Sequence, residues 1–129
     1  MTTETFDWCD YLAFAIEMRD TQIEDESRRR AAISRAYYAA YNVAKEFAEM
    51  QGVHIDTYSK GGHANVWNAY TQDSQLSDTL ASLTKDGHRL KRLRVRADYE
   101  GDVRVGQSEL ERGIGQAEKI INKLKSTLD

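Results

Sequence analysis

The chain has 129 residues, 40% apolar and 30% charged, with a formal net charge of −3. No run approaches the ~18 consecutive apolar residues of a membrane span, and Met1-Thr2-Thr3-Glu4-Thr5 lacks the basic and apolar regions of a signal peptide, so a cytoplasmic protein with one domain over residues 1–129 is expected. The single Cys9 excludes a disulfide within the chain and a cysteine-built metal site, and the absence of proline lets helices run long.

Apolar residues recur at helical spacing almost throughout. Trp8, Leu12, Ala15 and Ile16 predict a first helix over Thr5–Gln22. Ile33, Ala36, Tyr37, Ala40, Ala44 and Phe47 predict a second over Glu26–Gln51, stopped by Gly52. The stretch Val53–Gly62 reads as a loop, with Gly61-Gly62 as its punctuation, and a short helix is expected over His63–Tyr70. Leu76, Leu80, Leu83, Leu90, Leu93 and Ala97 mark a third long helix ending near Asp98, with Gly87 as a weak point inside it. After a connection at Gly101–Gly106, Ser108-Glu109-Leu110-Glu111 fits a capping box. Leu110, Ile114, Ala117, Ile121, Leu124 and Leu128 then space a last helix. The expected class is all-α, an antiparallel up-and-down bundle of four long helices plus a short one.

Charge is unevenly placed. Residues 1–25 hold seven acids against Arg19, whereas Lys85–Arg96 holds six bases against Asp86. On a helical wheel centred on Leu90, Arg89, Arg92 and Arg96 lie at about 260°, 200° and 240°, opposite the apolar stripe. They read as phosphate contacts or as solubilising charge. Arg94 lies at about 40°, beside the stripe, with Asp98 one turn on. Either an internal ion pair or a guanidinium held at a cleft or dimer seam for phosphate is expected there. On the second helix, Arg35 and Tyr38 face away from the core with Asn42 between them, as a stacking platform or a protein interface would. His63 is either a helix-start residue or a histidine placed to act as a general base. The three histidines fit no helical metal pair, Cys9 sits among acids that oppose thiolate formation, and no phosphate loop or nucleophile elbow occurs. No metal or cofactor is therefore expected.

Two segments together resemble small prokaryotic HEPN-domain proteins. Ala32-Ile33-Ser34-Arg35-Ala36-Tyr37-Tyr38-Ala39-Ala40-Tyr41 is similar to their second-helix signature, and Leu93-Arg94-Val95-Arg96-Ala97-Asp98-Tyr99 to their LRxxADY motif. His63-Ala64-Asn65-Val66-Trp67 is similar to the segment between them. The resemblance implies a helical bundle, a homodimer, and association with toxin–antitoxin or defence systems, often beside a nucleotidyltransferase. Active members are metal-independent RNases with an Arg-x4–6-His motif at the dimer seam. Here Arg94 matches the arginine, but Tyr99 stands where a histidine is expected, and none follows His88. A phenol with a pKa near 10 is a poor base at neutral pH. The resemblance thus implies either a weak RNase using Arg94 and Tyr99, with Asp98 beside them, or an RNA- or nucleotide-binding module. The alternative is an inactive helical partner subunit of a nucleotidyltransferase or antitoxin.

Overall fold

The structure, a computed structural model, describes residues 6–21 and 24–128. The class is all-α: the described residues form α1 (Cys9–Asp20), α2 (Glu26–Met50), α3 (Gly62–Gln72), α4 (Ser74–Leu80), α5 (Ser82–Tyr99) and α6 (Gln107–Leu128), with no strand among them. No helix among the described residues is long and apolar enough to cross a membrane. The expected ends of the first helix at Thr5 and Gln22 lie outside the described residues.

α2 is the central element, packed by α1, α3, α5 and α6. It can be so because its contact faces are small: Ala32, Ala36, Ala39, Ala40, Ala44 and Ala48 are all fully buried. Asp25 caps its start by accepting the Ser27 backbone N–H at 2.9 Å, a cap worth ~1 kcal/mol. Cross-links set the directions. Arg30, early in α2, donates to the carbonyls of Arg96 and Ala97, late in α5. Lys119 and Lys123 of α6 reach back to Asp86 and Ser82, early in α5. α5 therefore runs opposite to both α2 and α6.

Three local expectations are corrected. The third long helix is two helices, α4 and α5, and they meet at Ala81, not at Gly87. Gly87 instead lies inside α5 because the Trp67 ring sits on it: a Cβ there would stand 2.1 Å from that ring. The reciprocal capping box expected at Ser108 and Glu111 is replaced by one bond closer to the N-terminus. Glu109 accepts the Gly106 backbone N–H at 3.0 Å, while the Ser108 hydroxyl merely donates to Glu109. Last, α3 is capped by Gly61 at φ 85°, with His63 already within the helix. Gly62 lies so close to Thr57 that a Cβ would meet its carbonyl oxygen at 2.4 Å. The glycine pair thus presses the 57–61 loop onto the start of α3 and sets the position of His63.

Candidate functional site

Arg94 projects from α5 toward α2 and is 6% exposed. Its guanidinium carbon lies 5.1 Å from the centroid of Tyr37, 5.5 Å from Tyr38 and 5.6 Å from Tyr99. Three aromatic faces thus replace the water that a cation would otherwise hold. Its only hydrogen bond among the described residues is a long one, from Nη1 to Asp98 Oδ2 at 3.5 Å. The same carboxylate oxygen also accepts from the Ser34 hydroxyl at 3.2 Å. Arg94 Nε is buried with no partner among the described residues. A guanidinium offers five donors in a fixed fork. This one is oriented by rings and left largely unsatisfied.

His63 enters from α3. Its ring stacks on Tyr41 at 4.3 Å and lies parallel to Tyr37 at 5.7 Å, with Tyr38 edge-on. Its Nδ1 is 2.9 Å from the Tyr37 hydroxyl, which also accepts from Trp67 Nε1 at 3.1 Å. The indole can only donate. Tyr37 is fully buried, so its own proton needs an acceptor, and Nδ1 is the one present. The chain therefore runs from the Trp67 N–H to the Tyr37 oxygen, and from the Tyr37 O–H to His63 Nδ1. Neutral His63 then carries its proton on Nε2, as a donor. Burial lowers the His63 pKa below 6.5, and the charges of Arg94 and Lys91 lower it further. Burial raises the Tyr37 pKa well above its ordinary value, only partly opposed by the Trp67 hydrogen bond and Arg94.

The end of α5 that carries Arg94–Tyr99 is held by a residue that sequence reasoning passed over. Arg30 donates to the carbonyls of Arg96, Ala97, Glu100 and Val103, and pairs with Glu26 at 3.0 Å. They are carbonyls of the last turn of α5 and of the connection after it, where backbone partners run out. Arg29 donates to Val105 at 2.9 Å in the same connection. Nothing in the spacing of Arg28-Arg29-Arg30 distinguishes these two from solvated charge.

The other candidates divide. Arg94, Asp98, Tyr99, Tyr38 and His63 come together in one site. Arg35 goes elsewhere, with its guanidinium 4.9 Å from the Tyr11 ring of α1. Arg89, Arg92 and Arg96 line a cleft of about 210 Å³ toward α6, on the far side of α5 from Arg94. Among the described residues no group of three His, Cys, Asp or Glu side chains converges as a metal-ligand set. Comparison of the chain with protein-family models, curated proteins and solved structures gives no match.

Proposed function

We propose that this chain is a HEPN-like helical protein that binds single-stranded RNA as a homodimer, with Arg94 as its principal phosphate ligand. The observation that carries the reading is the state of that arginine: nearly buried, held against three tyrosines, and partnered only at 3.5 Å. Such a guanidinium trades one weak carboxylate contact for a bidentate phosphate at little reorganisation. Tyr99, 72% exposed with its ring against Arg94, is the surface through which a second copy would close the site. His63 Nε2–H supplies a second neutral donor. Because the Tyr37 hydroxyl occupies Nδ1, the resting histidine presents a proton where a general base needs a lone pair. This favours binding over cleavage.

The experiment is titration of a fluorescent oligouridylate, with gel analysis of the same samples. Binding by the wild type, its loss in Arg94→Ala, and an intact oligonucleotide are expected. Cleavage that is lost in both Arg94→Ala and His63→Gln would establish the RNase reading instead. Exposed Phe6, just before α1, and Phe14 within it favour a second reading, a helical partner subunit of a nucleotidyltransferase or antitoxin. An absence of RNA binding at low salt would leave that reading in place.

A further inference from the structure

The cleft between α5 and α6 is built differently from the Arg94 site. Arg89, Arg92 and Arg96 rim it from α5, Arg112 and Gln116 face them from α6, and Leu93 lies between. None of the four guanidiniums makes an ion pair or a side-chain hydrogen bond with a described residue. By contrast Arg19, Arg28, Arg30 and Arg94 all have carboxylate partners. Like charges three and four residues apart destabilise a helix, and α5 repeats that spacing at 89, 92 and 96. The cluster also stands on a chain whose net charge is −3, so it is not a by-product of a basic composition.

A second cavity, of about 350 Å³, shares Arg92 and Arg96 and adds His88, Lys91, Val95 and Glu100. The two run round α5 as one path, with Glu100 the only acid among the described residues that line either. No Trp, Tyr or Phe is among the described residues that line this path, so they offer no platform for a base. Arginine without aromatics matches phosphate oxygen by its fork and reads nothing else.

We infer that the α5–α6 cleft is a separate binding site for consecutive phosphate groups, centred on Arg89, Arg92, Arg96 and Arg112. Such groups come from a phosphodiester backbone or from a free polyphosphate, and the recognition chemistry is the same. The site stands independently of the RNA reading at Arg94.

Sodium tripolyphosphate, titrated calorimetrically into the full chain at low salt, tests this directly. Wild type should bind it, and Arg92→Ala/Arg112→Ala should weaken binding by about tenfold or more, as loss of charged hydrogen bonds does. Both positions are exposed, so the double variant should melt no lower than wild type. It should also lose the thermal stabilisation that tripolyphosphate confers. Arg28→Ala, an exposed arginine outside the cleft, should bind as wild type does. Competition by an oligouridylate identifies a phosphodiester as the source, and failure to compete identifies a free polyphosphate. The inference is overturned if wild type does not bind tripolyphosphate, or if Arg28→Ala loses as much as the double variant. Neither result depends on Arg94, so failure of the RNA reading and failure of this site are told apart.

Discussion

Arg94 and His63 show how one residue, Tyr37, can hold two functional groups in opposite ways. Its ring face receives the guanidinium, and its hydroxyl fixes the imidazole tautomer. Replacing Arg94 with Ala removes a charged donor worth about 1.5–3 kcal/mol to a phosphate, so RNA affinity should fall by about tenfold or more. The fold should survive, because Asp98 is partly exposed and keeps the Ser34 hydroxyl. Circular dichroism beside the binding curve separates the two effects, and an unfolded Arg94→Ala would reduce the site to a structural ion pair. Arg94→Lys should not restore binding, since an ammonium has no planar fork to lie along the rings. pH acts through His63. Its folded pKa is depressed, so the folded state binds fewer protons than the unfolded state. Stability should be full above pH ~6.5 and fall as acid protonates Nδ1 and leaves the Tyr37 proton without its acceptor. His88, whose pKa is lowered chiefly by burial and also by Lys91 and Arg92, adds in the same sense. Melting temperatures across this range should drop more steeply in wild type than in His63→Gln, and parallel curves would remove His63 as a contributor.

At the scale of elements, glycines mark where helices touch. Gly87→Ala places a methyl 2.1 Å from the Trp67 ring, and overpacking of this kind costs about 1–3 kcal/mol or more. Gly115→Ala, at an exposed position of α6, meets nothing within 4 Å and should stabilise by about 1 kcal/mol through helix propensity. Opposite shifts in denaturant midpoint for the two variants are the expected result, and equal shifts would mean that Trp67 yields. The same positions explain what was legible beforehand. α2 and the apolar face of α6 are legible in the sequence because an amphipathic period survives over their whole length. Gly87 looked like a break because sequence carries no trace of a tryptophan arriving from another helix. The Ser108/Glu111 capping box is not what forms, because Glu109 folds back onto the Gly106 N–H, a bond that asks nothing of the donor's side chain and so leaves no mark in the sequence. Arg94 and Asp98 were legible from the wheel. Arg30, Trp67 and Arg112 were not, since each acts on an element distant in sequence.

For the whole molecule, the acidic first 25 residues and the basic α5 let an overall negative chain present two positive sites on either side of one helix. Tyr99 joins the first of them to the surface: its ring lies against Arg94, yet it is 72% exposed. A large aromatic that packs on one side only is suited to being covered by a partner. A twofold dimer about this end of α5 would bring a residue near the axis against its own copy. The two Arg94 sites would then line one groove, wide enough in charge to follow a strand rather than a single phosphate. Sedimentation equilibrium should therefore give twice the 14.7 kDa chain mass at micromolar concentration. Tyr99→Glu should dissociate the dimer, because it adds a carboxylate from each chain beside Asp98 and Glu100, and the adjacent Arg94, already paired with Asp98, cannot neutralise all three. Tyr99→Phe should remain dimeric, since the ring and not the hydroxyl makes the contact with Arg94. RNA binding should track assembly, so the monomeric variant should lose both affinity and about half the salt dependence, which scales with the number of phosphates neutralised. A wild-type chain that sediments only at 14.7 kDa, or a monomeric Tyr99→Glu that binds RNA with the wild-type salt slope, would place the whole binding surface within one chain.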